Sequence, residues 1–259
     1  MTEGPAGEPI TGTPAGTNEP APPASEGSFA RLGGVLFSPD ETFESIARKP
    51  DWLVPLLLFM ALSLFSGYVF AHHVDFAAPA REQMEAQGKL TSDQIEAQSK
   101  VIGSIAKVAA YCSPVISVVM FVIVASLLML AYRMMAGEGD FKQYFSVTLY
   151  AWLPQIIQAL IMAIILLTRS ELLSAADLPA LVRSNLGFLV DMHEHKVLFS
   201  LLTSIDAFTI WSLVLMVIGF AHVSHFSKQK SASVLITLWA IWTGLKLSFV
   251  AIGAMMGPK

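Results

Sequence analysis

Five long apolar stretches, Leu53–Ala71, Ala110–Tyr132, Tyr144–Leu167, Leu198–Phe220 and Val234–Met256, decide what this 259-residue chain can fold into. A helix rises about 1.5 Å per residue and a bilayer's hydrocarbon core is about 30 Å thick, so roughly 20 apolar residues cross it, and each stretch supplies about that. Lipid offers no partner to an exposed N–H or C=O, so each crossing must be a helix. The chain is 54% hydrophobic and 14% charged, outside the usual range of water-soluble domains. The expected fold class is all-α: a polytopic helical membrane bundle of five transmembrane helices.

Charge and motifs exclude several classes of function. A net charge of -4 with no basic block argues against nucleic acid as a partner. Cys112 stands alone inside the second stretch, so no internal disulfide or thiolate metal cluster can form. There is no Gly-rich phosphate loop, Gly-x-Ser-x-Gly elbow or His-Glu-x-x-His pair, and we expect neither an enzyme nor a cofactor. The expected partners are the lipid bilayer and other membrane proteins or a second copy of this chain.

Three regions follow from composition. Residues 1–28 are rich in Pro and Gly with almost no bulky apolar side chain, which reads as a disordered tail. Residues 29–52 read as an interfacial amphipathic segment, and residues 53–259 as the five-helix membrane domain. In the second region Ser38, Pro39 and Glu41 form a Ser-x-x-Glu capping signal for a helix that stops before Pro50. Its Phe43, Ile46 and Ala47 share one side, the pattern of a helix lying in the headgroup plane. Arg48, Lys49 and Trp52 then mark the membrane interface.

Between the first two spans, Thr91 to Gln94 forms another capping signal, and Ile95, Ile102, Ile105 and Ala109 recur at helical spacing. With nothing to stop it, one long helix is predicted from Ser92 to Tyr132, kinked at Pro114 and projecting into solvent as a surface for a partner. Basic residues flank both sets of loops in equal number, but the short loops weigh more. The amino terminus is therefore expected in the cytoplasm and the carboxyl terminus outside it.

Within the spans, Asp206 and Lys246 are the costliest residues, at about 2.5 to 3.5 kcal/mol each on insertion scales. In antiparallel spans four and five they lie roughly 12 and 15 Å from the outer ends. Matched depth suggests an ion pair that sets helix register, or a Lys reaching outward; a proton or ion step is the functional alternative. Gln155 and Gln158 follow Pro154 and can bond a freed carbonyl or a neighbouring helix. Ala240, Gly244 and Ser248 form a small-residue stripe on the side of span five away from Lys246, which predicts either a central helix or an oligomer contact. His72, His73, His193 and His195 fall on one side of the membrane as weak metal candidates without a ligand spacing. His222 and His225 fall on the other and lack a third ligand.

Three segments carry a resemblance. They are Leu36 to Pro55, LFSPDETFESIARKPDWLVP; Ala136 to Pro154, AGEGDFKQYFSVTLYAWLP; and Asp206 to Ala232, DAFTIWSLVLMVIGFAHVSHFSKQKSA. Together they resemble the bacterial branch of the Yip1 domain family, through Ser38, Pro39, Gly137, Phe141, Pro154, Trp211 and Gly219. Ala136 departs from the Gly pair usual at 136 and 137. The resemblance implies a five-span fold in a bacterial cytoplasmic membrane and a non-enzymatic role in protein interaction, membrane organisation or trafficking, as in the eukaryotic relatives of vesicle traffic.

Overall fold

The computed structural model describes residues 1–2, 27–192 and 194–256, so nearly all of the segment read as a tail lies outside the described residues. Two short helices, α1 (Ser28–Phe37) and α2 (Pro39–Arg48), precede the first span, α3 (Leu53–His73). Strand β1 (Val74–Asp75), α4 (Ala78–Gln87) and α5 (Ser92–Tyr111) lead into the second span, α6 (Ser113–Met134). The third span is two helices, α7 (Phe141–Ala151) and α8 (Leu153–Leu167), broken where Pro154 cannot donate to the preceding turn. Strand β2 (Leu173–Ser174), α9 (Leu178–Leu181) and α10 (Lys196–Leu202) follow, then α11 (Ala207–Ser224) and α12 (Lys228–Met256). Five helical segments are thus long and apolar enough to cross a membrane.

The bundle is organised around α7, whose residues from Tyr144 to Ala151 are all buried. Tyr132 of α6, Tyr144 of α7 and Phe220 of α11 pack ring against ring with centroids 5.3 to 5.8 Å apart. The Tyr132 hydroxyl meets Ser231 Oγ at 2.7 Å, which ties α12 to the same knot. Large apolar side chains such as Val115, Val119, Ile241 and Phe249 face outward, as lipid-facing positions do in a membrane bundle.

Helix α2 starts and stops where its signals predict, but two details differ. Ser38 occupies the N-cap position without a side-chain cap bond. Its N–H already closes α1 by donating to Gly34 O at 2.7 Å, so one residue serves both helices and its backbone is turned away from capping geometry. The second difference is what covers the apolar face. Phe43 and Ile46 are fully buried against α11 and α7 rather than facing headgroups, and Phe43 sits in a notch that a Cβ on Gly219 would fill, 2.9 Å from its ring. Periodicity reveals an apolar face, not its neighbour.

The predicted single helix from Ser92 to Tyr132 is also two helices, parted at Cys112. Pro114 has no N–H for the Ala110 carbonyl, and the freed turn is taken up by α3: Ser113 Oγ donates to Ser63 O at 2.9 Å, and Gly67 lies directly on Ala110 O. The capping box at the start of α5 forms as read, with Thr91 N donating to Gln94 Oε1 at 3.0 Å. Helix α5 runs beside α3 and on past its end, where Gly103 faces Ala77. Helix α4 folds back along it, giving a hairpin that extends the first two spans. Strand β1 pairs with β2 in parallel, Val74 opposite Leu173, at its base.

The turn after α6 explains the departure at Ala136. Ala136 has φ 62, a left-handed conformation, and its N–H and that of Gly137 close the helix on Arg133 O and Tyr132 O at 3.0 and 2.9 Å. A Cβ is disfavoured there, so Ala136→Gly should stabilise the protein by about 0.5–1 kcal/mol, read as a raised midpoint of unfolding in detergent.

Candidate functional site

The fourth span departs most from its sequence reading. The expected helix Leu198–Phe220 is interrupted: α10 ends at Leu202 and α11 begins at Ala207, so Asp206 is an N-cap rather than a mid-helix charge. A carboxylate inside a helix in lipid would find no donors. As a cap, Asp206 Oδ1 accepts from Phe208 N at 2.9 Å and Thr209 N at 3.0 Å, beside the positive end of the helix. Its Oδ2 accepts from Ser184 Oγ, and from Gln158 Nε2 at 3.2 Å.

The chain around Ser184 makes the break tolerable. Ala207 N donates to Ser184 O at 2.9 Å and Leu186 N to Ile205 O at 3.3 Å, so an extended segment satisfies the unwound backbone. Asn185 secures that segment, accepting from Gly187 N at 2.9 Å and donating to Pro179 O at 3.0 Å. Gln158 lies about 14 Å from the Leu167 end of α8, so this non-helical backbone reaches well inside the third span's length. Irregular backbone survives at that depth only when enclosed by protein, and here α8, α10 and α11 enclose it. Sequence reasoning missed Ser184 and Asn185, which lie before span four and belong to no motif. Asp206→Ala should destabilise by about 2–4 kcal/mol, while Asp206→Asn, which keeps a cap, should destabilise by about half that in the same unfolding assay.

Lys246 does not meet Asp206. Its Nζ donates to Ser200 O at 3.1 Å and to Ser204 Oγ, and among the described residues it has no acidic partner. The predicted ion pair is therefore corrected. The two residues are close in depth, but the break turns Asp206 toward α8 while Lys246 reaches the last turn of α10. Lys246 also lines a cavity of about 460 Å³ between α6, α8, α11 and α12. Gln155, Thr203, Ser204, Thr209 and Thr243 supply its polar wall, and Trp239 and Trp242 stand on the α12 side. Asp206 is not in that lining. Gln155 Nε2 approaches Thr209 Oγ1 at 3.5 Å, so the two glutamines serve different neighbours.

Ala240, Gly244 and Ser248 lie on the uncovered side of α12, and a Cβ on Gly244 would meet nothing within 4 Å. That excludes the reading of span five as central: it sits at the edge of the bundle. His72 Nδ1 bonds Tyr68 O at 2.9 Å, and its ring lies against Tyr68 and Tyr111. His195 precedes α10, and His193 is outside the described residues. No group of three metal-ligating side chains is assembled among the described residues, which leaves the His72, His73 and His195 reading without support. Lys228 and His222 both contact Asp40 of α2, at 2.8 and 2.9 Å, and Lys228 first, then His222, hold its carboxyl below the usual carboxylate range.

The three segments that carried the resemblance meet on the α2 face. Gln143 caps α7 with Asp140 and also donates to Ala47 O at 2.7 Å, Gly219 receives Phe43, and His222 reaches Asp40. Phe141 stacks on Phe145 with centroids 5.5 Å apart, a Cβ on Gly137 would come within 2.9 Å of Tyr132 O, Pro154 opens α8, and Trp211 is partly exposed on α11. The Yip1 domain matches residues 33–250. A relative from Bacillus subtilis (strain 168), called membrane protein YknW, is 25% identical over 229 residues, covering 87% of this chain and 92% of that one. No solved structure matches.

Proposed function

Since this chain belongs to the Yip1 domain family of membrane proteins, we propose that it works by binding other membrane proteins and organising them in the bilayer, not by catalysis. The observation that carries this reading is the α4–α5 hairpin. Along the last turns of α3 and beyond its end, helix α5 exposes Val101, Ile102, Ile105 and Val108, an apolar stripe with no cover from this chain. The stripe continues into the outward-facing Val115 and Val119 of α6. An apolar surface that runs on from the lipid-facing wall suits a partner whose own helix leaves the membrane at the same place. The relative's name, a membrane protein, agrees with this location and says nothing of a reaction.

A photocrosslinking residue at Ile105, in native membranes, should give a discrete protein adduct, whereas the same residue at Val119 should label mainly lipid. An adduct that adds a second 28.0 kDa would identify another copy of the chain as the partner. No protein adduct at Ile105 would sink this reading. We also propose that the α2 face is cytoplasmic, in a bacterial inner membrane, because the short basic loops lie on that side. A reporter fused after Lys259 should then show extracytoplasmic activity.

One observation favours a rival, a transporter component. Broken helices often mark transport sites. Against it, Asp206 does not line the cavity that Lys246 lines.

A further inference from the structure

We infer that the cavity beside the broken fourth span binds an amphiphile with an anionic head, a carboxylate or a phosphate, with Lys246 as its counter-charge. This does not rest on the partner-binding reading. Lys246 carries a charge inside a membrane span, where an unneutralised ammonium is costly, yet both of its bonds go to neutral oxygens, Ser200 O and Ser204 Oγ. An ammonium has three N–H donors, so one remains for the cavity that Lys246 lines.

The walls are consistent with such a guest. Thr203, Thr209 and Thr243 bring hydroxyls to the same space, while Ser212, 4% exposed and also in the lining, has an Oγ with no hydrogen-bond partner. A buried orphan hydroxyl is unusual and points to a group not supplied by this chain. The rest of the lining is apolar, with Leu128, Leu213, Met216 and Leu235 for a hydrocarbon tail. At about 460 Å³ the space falls in the range of roughly 300–1,000 Å³ typical of small-molecule sites. Access is lateral: Trp242, in the lining, is 67% exposed on the outward side of α12. A guest can arrive from the bilayer without crossing it.

The test uses the full chain in nanodiscs with three photoreactive probes: a diazirine fatty acid, its methyl ester, and a diazirine phosphatidic acid. The fatty acid, the phosphatidic acid or both should label peptides from α11 and α12, and the ester should label them about tenfold less. Labelling by the acid alone identifies a free carboxylate as the ligand; labelling by phosphatidic acid identifies a phospholipid head. Lys246→Met should cut labelling about tenfold and Lys246→Arg should retain it. Should Lys246→Met fail to fold, Ser212→Leu, which fills the cavity and leaves the charge, must abolish labelling for the proposal to stand. Equal labelling by the ester, or labelling unchanged in a folded Lys246→Met or Ser212→Leu protein, overturns it.

Discussion

Gly67→Leu should prevent the first two spans from packing and lower stability by about 3 kcal/mol or more, the upper range for forcing volume into a filled site. At Gly67 even a single added carbon would land on the Ala110 carbonyl oxygen and come within 2.8 Å of Ser113 Oγ. The obstacle is backbone, which cannot rotate away as a side chain would. It is also the carbonyl that Pro114 leaves without its usual donor, so α3 approaches α5 and α6 where their helical ladder is interrupted. Thermal unfolding in detergent and the yield of folded protein would both register the loss. Gly244→Leu is the matched control: nothing lies within 4 Å of its Cβ position, so the change should stay within about 0.5 kcal/mol.

Asp51→Ala should be comparably severe. Arg31 is 3% exposed, and its guanidinium is held by Asp51 Oδ1 at 2.6 Å, Ser45 Oγ at 2.8 Å and Lys49 O at 2.9 Å. The other Asp51 oxygen accepts from the Tyr150 hydroxyl at 3.1 Å, joining α1, the α2–α3 linker and α7. Removing the carboxylate leaves a buried cation unpaired, which costs about 3–5 kcal/mol; the lower figure is expected because the Asp51 side chain is 24% exposed. The double change Arg31→Met, Asp51→Leu should recover much of that stability, since no stranded charge remains. A double variant as unstable as Asp51→Ala would show that the two residues matter for another reason. Tyr150→Phe removes the hydroxyl that donates to Asp51 Oδ2 and also lies 3.4 Å from Ser28 O, and should destabilise by about 1 kcal/mol.

The architecture was legible wherever local chemistry alone determines structure. Apolar length gave the spans, Pro39 and Pro50 bounded α2, and Thr91 with Gln94 opened α5, because each is a rule about neighbours in the chain. Long-range partners were not legible. Arg31 is one of the basic residues that flank the spans, and nothing near it in sequence signals that Asp51 and Tyr150 will enclose it. The apolar side of α2 was visible through Phe43 and Ile46, but its cover depends on a notch at Gly219, far away in the chain. The site shows the same division. Asp206 and Lys246 were conspicuous as charges in apolar runs, and their depths were close. Yet Asp206 is also a good helix N-cap, and that local preference, reinforced by Ser184 and Gln158, broke the helix and turned the carboxylate away from the lysine. The apolar run hid the break because Thr203, Ser204 and Ile205 do not look like a loop.

The claim most open to measurement is that break, which gives Asp206 and Lys246 separate surroundings. A double-mutant cycle with Asp206→Asn and Lys246→Met, read by unfolding in detergent, tests it directly. Separate roles predict that the double variant loses the sum of the two single effects to within about 0.5 kcal/mol. A double variant milder than that sum by more than about 1 kcal/mol would mean that the two charges are coupled, and would contradict the account.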